Sequence, residues 1–232
     1  MRLEQPYGKR FADTEKKLEP KCKYFIACEG RKTEYQYFKG LIEARDELHI
    51  LPLIEIVPIK HCSNTNSHPL NIISETKVEM DTCNTFFPEF DHICIIVDRD
   101  HLSFFENQYD EAVKQCENNK FRLIVSNPCI ELWLLFHYSD LSKYDLKKIL
   151  ENKKIGNRTQ TEVYLKDDYL EGSYSKKRIL FHQKYKNHVI TAISHSKKYP
   201  TEPKKLKSSV GTNLGMLIEE MIEPAYVMVD DV

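Results

Sequence analysis

The sequence predicts an α/β protein: a parallel sheet flanked by helices, followed by a helical C-terminal extension. Three observations carry this. Short apolar runs of strand length alternate with amphipathic stretches of helical period up to about residue 140. The strongest strand-like runs are nearly all apolar, as strands covered on both faces must be. After Asp140 the strand-like runs stop and helical patterns continue.

The polar stretch 1–20 reads as a loose arm. "KCKYFIAC" (21–28) has strand length. "TEYQYFKGLIEARDEL" (33–48) places Tyr37, Phe38, Leu41, Ile42 and Leu48 at helical spacing, with Thr33 as its expected N-cap. "LIEIVPI" (53–59) alternates like a strand, "HCSNTNSHP" (61–69) is loop chemistry, and "LNIISETKVEM" (70–80) is a helix candidate. "HICIIVD" (92–98) is the clearest strand, β-branched and apolar. An amphipathic helix (104–119), a buried strand "FRLIVS" (121–126) and an apolar helix "CIELWLLFHY" (129–138) follow, the last two separated by Asn127-Pro128. Beyond residue 140, four helical segments are expected over 146–154, 159–170, 178–199 and 211–222, with no convincing strand. Residues 21–140 are the predicted α/β core and 141–232 a basic helical region, either a second domain or a continuation of the first.

Composition narrows the class. With 41% hydrophobic and 30% charged residues among 232, the chain reads as soluble and globular. No apolar run reaches the roughly 18 residues of a membrane span, and no secretory signal is visible. Seven cysteines without a CxxC pair favour reduced thiols over a disulfide frame, and hence a cytoplasmic setting. Zinc spacing is absent. The net charge of −1 conceals an asymmetry. Residues 141–208 hold 17 Lys/Arg against 7 Asp/Glu, a local +10, while residues 1–140 carry −6. A basic region joined to an acidic half fits a nucleic-acid partner.

In a parallel α/β sheet, ligands bind beyond the C-terminal strand ends. Three of those ends are acidic here: Glu29 after the first, Asp98 and Asp100 in "VDRD", and Glu131 in the first turn after "SNPC". Converging carboxylates repel one another unless a cation neutralises them. All-oxygen donors suit a hard cation such as Mg²⁺, or Mn²⁺ in its place. Each residue also has a plain structural explanation. Asp98 and Asp100 could cap the following helix, Glu29 could be solvated, and Glu131 could complement a helix N-terminus. Phosphate-loop, dinucleotide, zincin and nucleophile-elbow motifs are absent. His137 and Trp133 read as core residues. Tyr164 and Tyr169 read as packing, with base stacking as the alternative. Arg31, Lys32, Lys176 and Lys177 are candidate phosphate contacts.

Several segments together resemble the RloB-like family. "CEGRKTEYQYFKGL" is similar to its "EGxxTExxYF" opening, "IIVDRD" to its aspartate motif and "SNPCIELWLLFHY" to its "SNPxFELWxLLHF" block. "YSKK", "AISHSKKY" and "GTNLGMLIEEM" resemble later segments more loosely, so the likeness runs from about Tyr24 to Met221. The resemblance implies a Toprim-like fold, the metal-binding α/β module of topoisomerases, primases and the overcoming-lysogenisation-defect nucleases. It places an acid/base or metal-ligand role on Glu29 and Mg²⁺ binding on Asp98 and Asp100, with Glu131 as a further ligand or site residue. It also implies an effector of bacterial anti-phage defence, in restriction loci and abortive infection, with an ATPase partner of the SMC/ABC type.

The expected activity is metal-dependent phosphodiester hydrolysis of DNA or RNA, tRNA included, with no membrane partner. The competing expectation is a Toprim-like module that binds or senses nucleic acid without cleaving it. A nucleotide-sugar transferase fits less well, because the Glu29 turn and the basic helical third have no place in it.

Overall fold

The computed structural model describes residues 22–28, 32–57 and 68–224. Strands β1 (Lys23–Cys28), β2 (Leu53–Ile56), β3 (His92–Asp98) and β4 (Arg122–Asn127) lie parallel in the order β2-β1-β3-β4. Helices α1 (Thr33–Glu43), α2 (Pro69–Asp81) and α3 (Glu106–Asn119) form the crossovers, and α4 (Ile130–Phe136) follows β4. This five-stranded, mostly parallel sheet with flanking helices agrees with a Toprim-like fold.

The fifth strand departs from expectation. β7 (Gly211–Thr212) pairs antiparallel with β4, and a small hairpin, β5 (Lys154–Ile155) with β6 (Arg158–Thr159), lies elsewhere in the C-terminal third. Strands of two residues carry no alternation to read. What extends the β4 edge is a side chain: Asn213 accepts from the Val125 N–H at 2.7 Å and donates to the Leu123 carbonyl at 2.9 Å. It thereby satisfies backbone groups that a longer strand would otherwise pair. Arg122 of β4 also reaches Glu220 through two contacts of 2.6 and 2.8 Å.

The remaining helices are α5 (Leu146–Glu151), α6 (Gln160–Asp168), α7 (Val189–Ser196), α8 (Pro203–Leu206) and α9 (Leu214–Met221). The helix expected over 178–199 is instead a π-helical turn (Phe181–Tyr185), a 3₁₀ turn (Lys186–His188) and then α7. Phe181 packs so close to Gly40 of α1 that a Cβ there would enter its ring. At the start of α1 the structure differs again. Thr33 is the first helical residue, and Lys32 holds the cap position without a side-chain bond.

The strands' period of two divides the core. Tyr24, Ile26, Cys28, Cys94, Ile96 and Ile124 face α1, α4, α7 and α9. Phe25, Ala27, Ile93, Ile95, Val97, Leu123 and Val125 face α2, α3 and Leu206 of α8. Elements on either side of residue 140 therefore contribute to both faces. No disulfide forms among the described cysteines, four of which are buried. Among the described residues no helix is long and apolar enough to cross a membrane.

His137 closes the end of α4 as a core residue. Its Nδ1 lies 3.0 Å from the Trp133 carbonyl and its Nε2 3.1 Å from the Tyr37 hydroxyl. The carbonyl only accepts, so Nδ1 carries the proton and Nε2 accepts from Tyr37. Burial lowers its pKa from 6.5 to about 3. The neutral ring is thus a stabilising feature above pH 6.5 that is lost as pH falls toward 3. Urea unfolding across pH should show the wild type losing stability relative to His137→Gln over that window, by at most roughly 5 kcal/mol. Parallel pH curves would contradict the assignment.

Candidate functional site

The C-terminal ends of β1, β3 and β4 lie on one edge because the strands are parallel. Asp98 continues the parity of Cys94 and Ile96, so it points to the face of α1 and α4. Those two helices begin at the same edge. Their first turns add Thr33 and Glu34 from α1, and Ile130 and Glu131 from α4. The result is a cleft of about 260 Å³ lined by Lys32, Thr33, Glu34, Asp98, Ile130, Glu131 and Lys176. Four of the six motif-like stretches send residues there: Lys32, Thr33 and Glu34 from the first, Asp98 from "VDRD", Ile130 and Glu131 from "NPCIEL", and Lys176 from "YSKK".

At the floor of the cleft the Glu131 side chain is only 1% exposed. Its Oε1 accepts from the Tyr174 hydroxyl at 2.9 Å and lies 2.9 Å from Lys176 Nζ. Its Oε2 is buried without a hydrogen-bond partner. Lys176 Nζ also lies 3.7 Å from Glu162 Oε2, while its side chain stays 45% exposed. Burial works against the Lys176 ammonium, but the charge and hydrogen bond of Glu131 outweigh it and leave the pKa above its ordinary value. Desolvation, and then Glu131, push the Tyr174 hydroxyl well above the ordinary range, so it stays protonated and donating.

Glu34 is the site residue that the sequence underplays. Its distance from Glu29 suggests a brace for the turn, yet it is 7% exposed and faces the cleft. Burial raises its pKa from 4.5 to about 7, with Glu131 adding to the shift and a backbone hydrogen bond and Lys176 opposing it. The visible signal was the helix period: Glu34 lies three and four residues before Tyr37 and Phe38, on their buried face.

The other predicted residues fall as follows. Asp98, Glu131, Lys32 and Lys176 meet in the cleft. Asp100 does not join them among its lining residues. Its Oδ1 accepts from the Leu102 N–H at 3.0 Å and its Oδ2 from the Ser103 hydroxyl at 2.9 Å, which shapes the turn after β3. Lys177 is exposed, and its carbonyl accepts from Gln36 Nε2 at 3.1 Å. Glu29 and Arg31 lie outside the described residues. Tyr164 stacks on Tyr144 at 4.3 Å and Tyr169 on Tyr138 at 5.4 Å, so both rings engage neighbouring tyrosines.

Among the described residues no group of three or more His, Cys, Asp or Glu is arranged to hold a metal ion. The donor chemistry of the cleft is nonetheless carboxylate oxygen, which suits a hard cation.

The fold and cleft define a Toprim-like α/β protein with an acidic pocket at its strand ends. A family model described as RloB-like protein matches residues 24–221, and the chain belongs to that family. No curated protein and no solved structure matches it.

The folded-state pKa of Glu34 lies above its ordinary value, so ionising this carboxyl costs stability. Compared with Glu34→Gln, the wild type should lose stability as pH rises from 4.5 to about 7, and the gap should then level off. The loss should reach at most roughly 3 kcal/mol. Denaturant midpoints of the two proteins across pH check this, and a constant gap would contradict it.

Proposed function

We propose that this protein is a metal-dependent nuclease-like effector of bacterial anti-phage defence, acting in the cytoplasm on DNA or RNA, tRNA among the candidates. The observation that carries the reading is the cleft. It gathers Glu34, Asp98 and Glu131 with Lys32 and Lys176 at the C-terminal edge of a parallel sheet. The basic region 141–208 adds the charge that a polyanion requires. The family resemblance supplies the defence context and an ATPase partner of the SMC/ABC type.

In this reading Asp98, together with Glu29, would hold Mg²⁺ or Mn²⁺, and the ion would supply Lewis-acid charge for phosphodiester chemistry. Lys32 and Lys176 offset the negative charge of the bound phosphate. Glu29 orients the attacking water. Glu34 has a protonation equilibrium near neutral pH, as a proton acceptor for that water requires. Asp100 shapes the turn that follows Asp98.

A second reading rests on a specific observation. Glu131 already has a cation in Lys176, and the described residues supply no three-acid ligand set. That favours a module that binds nucleic acid for a partner without cleaving it. Incubating the purified chain with DNA and RNA pools, with Mg²⁺, Mn²⁺ or EDTA, separates the two. The nuclease reading expects cleavage that EDTA abolishes and that Glu29→Gln and Asp98→Ala each reduce at least a hundredfold. Metal-independent binding without cleavage, with the genomic neighbour present, would establish the binding module instead.

A further inference from the structure

We infer that Glu131 is the seat of Lys176 rather than a metal ligand, and that Tyr174, Glu162 and Gln36 complete a cradle that fixes this lysine as the cleft's phosphate contact. The inference rests on the nucleic-acid reading proposed above and assigns positioning roles within the same site.

Four residues from three helices and one loop hold this lysine: two face its ammonium, one fixes its partner carboxylate and one ties the backbone beyond it. Glu131, at the start of α4, takes the ammonium at 2.9 Å. Glu162, in the first turn of α6, stands at 3.7 Å on another side. Tyr174, two residues before the lysine, donates to the same Glu131 oxygen at 2.9 Å and so fixes the carboxylate. Gln36 of α1 clamps the backbone just beyond. Its Nε2 donates to the Lys177 carbonyl at 3.1 Å, and its Oε1 accepts from the Ile179 N–H at 2.9 Å. A surface lysine engaged only in ion pairing would need none of this. Here the loop before and after Lys176 is tied down, and the side chain remains 45% exposed on the cleft wall. A long flexible side chain normally loses rotamer freedom when it binds. The cradle meets that loss on folding, so a phosphate meets a cation already in place.

A carboxylate oxygen shared by an ammonium and a tyrosine hydroxyl has its negative charge already balanced. A divalent ion bound through that oxygen would have to displace Lys176. The cation that the sequence reading expects beside Glu131 is therefore one the chain carries itself.

The test is equilibrium binding of a fluorescein-labelled oligonucleotide in EDTA, measured over a series of salt concentrations, so that neither metal nor cleavage enters. Lys176→Met should reduce the slope of log K against log salt by about 0.7–0.9, the share of one phosphate contact. Lys176→Arg should restore the slope. Glu131→Gln/Lys176→Met, which removes both partners' charges together, should show the same reduced slope while melting as one cooperative unit. Tyr174→Phe should weaken binding severalfold in the wild-type background and not at all beside Lys176→Met, because it acts through the lysine. An unchanged slope in both Met variants, or an equal Tyr174→Phe effect in both backgrounds, would overturn the inference while leaving the nucleic-acid reading intact. If the wild type binds no oligonucleotide at any salt concentration, that reading fails and the inference with it.

Discussion

The arrangement of the site turns on one buried charge. Glu131 lies at the start of an apolar helix, with its side chain sealed from solvent. Burying a carboxylate is costly unless it is paired and hydrogen-bonded. The partners come from far along the chain: Lys176 and Tyr174 lie 45 and 43 residues later. Removing the lysine would leave the Glu131 carboxylate buried and uncompensated, which is costly. The loop around residues 174–179 is therefore held against α4 by electrostatics and against α1 by Gln36. That places a lysine of the basic region beside the acidic strand ends.

The sheet does the rest of the positioning. Parallel pairing puts the ends of β1, β3 and β4 on one edge, and the two-residue period of β3 turns Asp98 toward α1 and α4. Two residues later that period no longer applies. Arg99 is buried, donating to the Phe104 and Lys207 carbonyls, and Asp100 is drawn into the turn that follows. A DxD pair whose second member serves the backbone gives the cleft one aspartate from this motif. Glu34 replaces part of the missing acidity. Its raised pKa gives the pocket a group that changes charge near neutral pH.

Much of the sheet was legible because strands covered on both faces leave a strong apolar signature, as in "HICIIVD" and "FRLIVS". The strand-end rule then located Asp98 and Glu131. What escaped was non-local. β7 has two residues and depends on Asn213 imitating a strand partner. The pairing of Glu131 with Lys176 follows from tertiary packing, and spacing cannot reveal it. Asp100 illustrates a different limit. Its residue type suits a metal ligand and a turn cap equally, and only the positions of the Leu102 amide and the Ser103 hydroxyl separate the two. Gln36 left no signal, because an amide on a helix face looks like ordinary surface.

The proposed function and the inference that extends it divide the cleft, assigning Asp98 to an added cation and Glu131 to Lys176. The most direct measurement is an anomalous difference map from crystals of the full chain grown with Mn²⁺. The account predicts a peak in the cleft beside Asp98, with Lys176 Nζ still on Glu131. A peak ligated by Glu131 with the lysine displaced, or no peak in the cleft, would contradict it.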